Sequence, residues 1–529
     1  MLDTINILKP KSSSGHDDIS TKLVKQISYK IAPTLVLIIN QSLCTGIFPD
    51  RLKIAKVIPL FKKENPHIFD NYRPISLLPS ISKVFEKIVF KQLYNYLLDK
   101  KLIYDSQYGF RNDHSTELAG LELADRISQH LDNGRIPITV YLDLSKAFDT
   151  LKHDILLNKL MYYGVKGTAL NWFSSYLCNR YQFTDINGTQ SEHLLIKTGV
   201  PQGSILGPLL FLIYMNDLYH ASQKFHSILY ADDTSLLDTL CSFNTTITCK
   251  NYNKDTISAH INAELKKISD WLAVNKLSLN VKKTKFMIFH HRQRDISHFV
   301  PTLEINGHPI ERVNEFNFLG LTVDEHLTWN GHINKISNKI SRTLGIISRV
   351  RKFLPVDILK QLYVSLVAPH LQYGILCWGF HHNKIFKLQK RAMRLITLSK
   401  YNAHTEPIFK QLNLLKVQEI FKLSCLKFYH KLKSQKLPYY FLTTFQTDCN
   451  PHQYNTRNQV DMPHHRAHTN LGTKCIRHYL PLLLQSTPQC ITDKVVSHSF
   501  NGFSNYVKYY YFSEYTAECV IVNCYICQN

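Results

Sequence analysis

Two short apolar runs stand out along the chain, because each ends at an acid. Pro137-Ile-Thr-Val-Tyr-Leu-Asp143 reads as a buried strand that stops at Asp143. His226-Ser-Ile-Leu-Tyr230 reads the same way and runs into Ala231, Asp232 and Asp233. Lys56-Val-Ile-Pro-Leu-Phe-Lys-Lys63 predicts a third strand with a basic turn at its end, and the Pro-bounded Asn71-Tyr-Arg-Pro-Ile-Ser-Leu-Leu-Pro79 predicts a loop. After a polar loop at 10–16, Ile19, Leu23, Ile27 and Ile31 recur at helical spacing. Ile81, Val84, Phe85 and Ile88 predict the inner face of another helix, with Lys83, Lys87 and Lys91 outside. Helices are also expected around 153–163 and after Gly207. Interleaved strands and helices indicate an α/β or α+β core. From Trp329 the chain reads as helical: Ile333, Ile336, Ile340, Leu344 and Ile347 mark one face, and Lys335, Lys339 and Arg342 another.

Charge changes this picture in one place. The 529 residues carry 63 Lys and Arg against 40 Asp and Glu, a net of +23. Residues 331–529 hold 26 of those bases and only 8 of the acids, so most of the surplus lies there. A mildly basic first part, rich in acids, followed by a strongly basic helical part fits a polyanionic partner gripped by its phosphates. No apolar run approaches the ~20 residues of a membrane span, and Met1 opens no secretory pattern. The expectation is an intracellular protein with reduced thiols and no membrane partner. Cys519, Cys524 and Cys527 cluster late without a fourth ligand for zinc.

The acids suggest the chemistry. Adjacent aspartates at a strand tip repel each other and gain nothing from burial unless a cation neutralises them. An isolated Asp-Asp pair is ordinarily a solvated turn. A second strand-terminal acid, Asp143, lies 89 residues before Asp232. Brought side by side in a sheet, the two sites could hold two Mg²⁺ about 3.5–4 Å apart for phosphoryl transfer. Mg²⁺ suits few carboxylates, with substrate phosphates and water completing its shell.

An ordered series of motifs resembles the reverse transcriptases of non-LTR (LINE-like) retrotransposons, in particular the Jockey type. Asn71-Tyr-Arg-Pro-Ile-Ser-Leu-Leu-Pro79 resembles the fingers motif, and Gln107-Tyr-Gly-Phe-Arg111 with His114-Ser-Thr116 the next block. Leu142-Asp-Leu-Ser-Lys-Ala-Phe-Asp149 and Tyr230-Ala-Asp-Asp233 resemble the two catalytic motifs, and Gly199-Val-Pro-Gln-Gly-Ser-Ile-Leu-Gly-Pro208 the template and nucleotide motif between them. Phe318-Leu-Gly320 resembles the primer grip.

The resemblance implies an α+β right hand of fingers, palm and thumb followed by a helical basic C-terminal region. Residues 1–40 would extend the fingers, 41–325 would form the polymerase fingers and palm, and 326–440 a helical thumb and connection, leaving 441–529 unassigned. It implies that Asp143, Asp232 and Asp233 are the catalytic and metal-binding acids, using two Mg²⁺ with Mn²⁺ as a substitute. Asp149, six residues past Asp143, reads instead as the cap of a helix starting near Leu151. Phe148 would be the sugar gate that prefers deoxynucleotides, and Gln202 and Gly203 would face the nucleotide. Arg73 would pair the triphosphate, aided by Lys62 or Lys63. The implied partners are an RNA template, a DNA primer and dNTPs, in a ribonucleoprotein of nucleus and cytoplasm.

The chain also departs from the pattern. It begins almost at the fingers, which implies no endonuclease domain and a nuclease supplied in trans by another protein. Tyr108 stands where the family usually has phenylalanine. Tyr454-Asn-Thr-Arg-Asn458 resembles a late motif, yet 474–489 lacks the Trp-Asn pair expected near it. Two functions are therefore open: an RNA-directed DNA polymerase, or a decayed or domesticated copy that only binds nucleic acid. An intron maturase, which shares the polymerase fold, fits the motifs less well.

Overall fold

The computed structural model describes residues 1–62, 65–238, 254–297, 300–445, 462 and 465–516. Lys63, the late motif at 454–458 and Cys519, Cys524 and Cys527 lie outside the described residues. In chain order the strands are β1 (Ala55–Phe61), β2 (Tyr72–Leu77), β3 (Ile138–Leu142), β4 (Arg180–Ile186), β5 (Thr189–Gln190), β6 (Leu194–Ile196), β7 (Phe225–Tyr230), β8 (Asp233–Asp238), β9 (Lys285–Ile288), β10 (Glu304–Ile305), β11 (His308–Pro309), β12 (Glu311–Arg312), β13 (Glu315–Phe318) and β14 (Leu321–Asp324).

A central sheet runs β12-β9-β3-β8-β7, with β3 antiparallel to both its neighbours. β3 is buried along its whole length. Because side chains alternate across a strand, Ile138, Val140 and Leu142 enter one core while Tyr141 enters another. The first core gathers most helices of the N-terminal half, including Ser80–Asp99 and Leu206–Met215, but not Thr116–Asp132, which packs in the second. The second gathers the helices after Trp329. A second sheet runs β2-β1-β4-β5, with β6 added on β4, and β13-β14 form a separate hairpin. The fold is therefore mixed α and β, as expected. Among the described residues no helix is long and apolar enough to cross a membrane.

Several elements follow the apolar pattern closely. The helix Asn330–Val350 buries Ile333, Ile336, Ile340, Leu344 and Ile347, and exposes Lys335, Lys339 and Arg342. Helices His153–Tyr162 and Leu206–Met215 also stand where they were expected. Two readings need correction. The segment expected as a loop at 71–79 contains β2, paired antiparallel with β1. Pro74 does not break it because β2 is an edge strand and Pro74 faces Pro59, so both missing N–H groups fall on one rung. The expected face of Ile19, Leu23, Ile27 and Ile31 is not continuous either. The chain changes helix at Ile27, between Thr21–Gln26 and Ser28–Thr45, leaving Leu23 and Ile27 exposed and burying Val24, Leu35 and Ile39 instead.

Candidate active site

Asp143 is the first residue past β3, and Asp233 is the first residue of β8. Those strands pair with Leu142 opposite Thr234, so one further rung sets Asp143 opposite Asp233 on the same face. Asp232 lies in the two-residue turn joining β7 to β8, across which Tyr230 pairs with Asp233. Ala231, the other turn residue, takes φ +56°, a left-handed conformation that closes the reversal tightly. Acids far apart in sequence are thus gathered at one end of the central sheet.

Their charges interact. Burial, reinforced by the negative charges of Asp232 and Asp143, pushes the Asp233 carboxyl up to about 6. Burial and Asp143 also raise Asp232, while Arg73 and Lys62 pull it back toward the ionised form. Lys283 Nζ stands 3.6 Å from Asp143 Oδ2. Among the described residues, His290, Glu325 and His326 are the one set of three or more such ligands whose atoms all lie within 4.8 Å of one another. The three aspartates stand more openly, as mutually repelling carboxylates do.

Arg73 lies on β2 and Lys62 just past β1, both exposed. Both charges lie near enough to Asp232 to favour its ionised form.

The loop at 198–204 is docked on the segment that follows Asp143. Gly199 N donates to Leu151 O at 2.7 Å, Val200 N to Phe148 O at 3.0 Å, and Thr198 Oγ1 to Asp149 O at 3.1 Å. Gln202 Nε2 donates to both Asp149 carboxylate oxygens, at 2.8 and 3.0 Å. Asp149 sits inside the short helix Ala147–Thr150, and the following helix has Lys152 at its N-cap without a side-chain bond. The capping role expected for Asp149 is therefore replaced by one as anchor of Gln202. Gly203 has the second sheet against it: a Cβ there would lie 2.3 Å from Ser76 O, and Ser76 N donates to Gln202 O at 2.8 Å. Phe148 is half-buried, stacked on Phe211 at 4.2 Å and met edge-on by Phe110 at 6.2 Å.

A family model described as reverse transcriptase (RNA-dependent DNA polymerase) matches residues 61–323, which run from the end of β1 into β14. Residues 61–323 form a domain of the reverse transcriptase family. The relatives agree with it. A probable RNA-directed DNA polymerase from transposon BS of Drosophila melanogaster is 29% identical over 79% of this chain and 46% of its own length. The RNA-directed DNA polymerase from mobile element jockey of Drosophila funebris is 27% identical over 82% of this chain and 47% of its own. The probable polymerase from transposon X-element of Drosophila melanogaster is 25% identical over 76% and 44%. The chain thus spans about half the length of the curated relatives it matches.

In the reverse transcriptase domain, the sequence motifs located the acids but not what holds them. Gln107 is the main omission. Its Oε1 accepts from Gly109 N at 2.9 Å and Ala231 N at 3.2 Å, tying the 107–109 segment to the turn that carries Asp232. Tyr108 N donates to Leu229 O and Leu229 N to Ser106 O, so this segment runs along the outer edge of β7. The Tyr108 hydroxyl, absent from a phenylalanine, donates to buried Glu122. Burial would raise Glu122, but bonds from His226 and Tyr108 and the charge of Arg126 hold it down at about 2. Glu86 is a second omission: fully buried, it accepts from Ile205 N and Leu206 N and so caps the helix beneath the 198–204 loop. Lys283 is a third, 140 residues from Asp143 and announced by no motif.

Proposed function

We propose that this chain is the RNA-directed DNA polymerase of a Jockey-type non-LTR retrotransposon, extending a primer 3′-hydroxyl with dNTPs by two-metal phosphoryl transfer. One observation carries the reading: Asp143, Asp232 and Asp233 converge at one end of the central sheet. In this reading the central sheet is the palm, the β1-β2 sheet belongs to the fingers, and the helices from 326 to 440 form the thumb and connection. The basic face of helix Asn330–Val350 follows the template–primer backbone.

Reverse transcriptases work with divalent metal ions, and the donor set here fits them. Three carboxylates share one strand-end neighbourhood, and burial together with their mutual repulsion raises Asp233, a penalty that a bound cation would relieve. Asp143, Asp232 and Asp233 would hold two Mg²⁺, which would supply an activated hydroxyl and a neutralised leaving oxygen. Arg73, with Lys62, binds triphosphate oxygens through charge-assisted hydrogen bonds. Gln202, immobilised by Asp149, and Gly203 line the nucleotide side of the same space.

Primer extension with purified protein on poly(rA)–oligo(dT) tests the function. Labelled dNTP incorporation is expected. Salt-sensitive duplex binding without incorporation would overturn the polymerase reading in favour of a binding-only copy.

The Phe148 ring is braced by Phe211 and Phe110, so it cannot swing away from a ribose 2′-hydroxyl. Phe148→Ala is expected to raise ribonucleotide use relative to deoxynucleotide by roughly 10–100-fold, the range a local steric discrimination of ~1–3 kcal/mol allows. Single-nucleotide incorporation with rATP and dATP measures it, and an unchanged ratio would remove the gate.

The raised Asp233 pKa gives a pH signature. A carboxyl raised from 3.8 to about 6 stabilises the metal-free fold below the lower value, and that contribution is lost as pH rises through about 6. Bound cation reverses this penalty. The Mg²⁺ concentration for half-maximal incorporation is therefore expected to climb as pH falls below about 6, by up to about tenfold per pH unit for one displaced proton. Mg²⁺ titrations from acid to neutral pH would show it.

A further inference from the structure

Away from the aspartates, where the end of β9 meets the end of β14, three side chains point at one another. Glu325 Oε2 lies 3.7 Å from His290 Nε2, and Glu325 Oε1 lies 3.8 Å from His326 Nε2. The two imidazoles meet edge to face, with ring centroids 4.6 Å apart. These separations are too long for hydrogen bonds. They are close to what a shared ion needs, because two ligands each ~2.0–2.1 Å from a tetrahedral zinc stand roughly 3.3–3.4 Å apart.

The far side of each ring is already arranged. His290 Nδ1 lies 3.0 Å from His291 O, and His326 Nδ1 lies 2.8 Å from His290 O. A carbonyl can only accept, so each Nδ1 carries a proton, and in the neutral ring each Nε2 offers its lone pair on the Glu325 side. Arg312 Nη2 holds Glu325 Oε2 at 2.9 Å, orienting the carboxylate and leaving Oε1 available. The backbone fixes the same junction, with His290 N donating to Glu325 O at 3.1 Å and Glu325 N to Asn314 O at 3.0 Å.

We propose that His290 Nε2, His326 Nε2 and the Glu325 carboxylate, whose ligand atoms lie within 4.8 Å of one another, bind a zinc-class divalent ion, with water as the fourth ligand. Two imidazoles and one carboxylate suit zinc or its neighbours, whereas an all-oxygen set such as the aspartates suits Mg²⁺. The ion pins the β13-β14 hairpin to the central sheet. That hairpin also stacks Phe316 on Tyr141, within the strand that leads to Asp143, at 4.1 Å. The site is a staple for the hairpin and takes no part in the polymerase reaction.

Cobalt(II) titration of the chelator-stripped full chain, in excess Mg²⁺ to occupy the aspartates, tests it. One equivalent is expected to give the visible bands of a four-coordinate ion, displaced by Zn²⁺, and Zn²⁺ should raise Tm. His326→Gln, at the most exposed of the three ligands, should weaken binding by tenfold or more while leaving the metal-free Tm near wild type. Asp232→Asn should leave the bands unchanged. Bands equally strong in His326→Gln and wild type, or absent from both, would overturn the site. Should His326→Gln lower the metal-free Tm, Glu325→Gln supplies the same comparison.

Discussion

Asp232→Asn is expected to eliminate primer extension, by about 10³-fold or more, while leaving the metal-free fold as stable as wild type or slightly more so. The two halves of that expectation have one cause. Asp232 and Asp233 are neighbours on a tight turn with Asp143 opposite; burial raises both turn carboxyls, with Asp143 adding to each and Asp232 adding to Asp233. Removing one charge relieves repulsion in the empty site, so stability does not fall. With nucleotide and primer present, the same charge is what balances the cations. Its loss forfeits several kcal/mol of charge stabilisation at the reacting phosphate, and each ~1.4 kcal/mol is a factor of ten in rate. Asparagine keeps the shape, so a folding defect would not account for the result. Asp149→Asn is the control. Its side-chain oxygen can still accept from Gln202 Nε2, so it should retain most activity, within about tenfold. Single-turnover incorporation for the three proteins, beside their melting curves in chelator, measures both effects. Equal activity in Asp232→Asn and wild type would dissolve the assignment of the site.

The acids were legible because a β-rich run that halts at Asp is a local signal. The short apolar run of β3 and the helical stripe from Ile333 to Ile347 are local as well, and the structure follows both. What the sequence hid is set by partners distant along the chain. No pattern around Glu86 announces that it caps a helix beginning 120 residues later. None around Asp149 announces that it receives the Gln202 amide rather than capping its own neighbour. The β2 segment reads as a loop because its prolines do not reveal that it lies at a sheet edge. Leu23 and Ile27 misled for a different reason: helical spacing gives a periodic face but not the break at Ile27 that rotates it. The motif 107–111 could be located from resemblance, but its work as a brace appears only once β7 lies alongside it.

That brace yields the second large effect, at a residue that bears no charge and touches no substrate. Gly109→Ala is expected to cut incorporation by on the order of 10²-fold, because a 1 Å misplacement of reacting groups costs about that much. A Cβ at Gly109 would lie 2.4 Å from Ala231 N and 3.1 Å from Tyr230 C, both backbone atoms, so no side chain can swing aside to make room. Something must move, and the least anchored neighbour is the turn. Ala231 is already left-handed and is tied to the 107–109 segment by the 3.2 Å bond to Gln107 Oε1, whereas β7 and β8 are paired along six rungs. Displacement therefore falls on Ala231 and carries Asp232 with it. Phe148 and Gln202 are held by other contacts, so affinity for template–primer should stay within a few-fold of wild type and the loss should appear in kcat. Because the turn moves without losing its acids, higher Mg²⁺ or Mn²⁺ should recover part of the activity of Gly109→Ala but none of that of Asp232→Asn. Equal rescue of both variants, or wild-type kcat in Gly109→Ala, would show that the 107–109 segment does not position the acids.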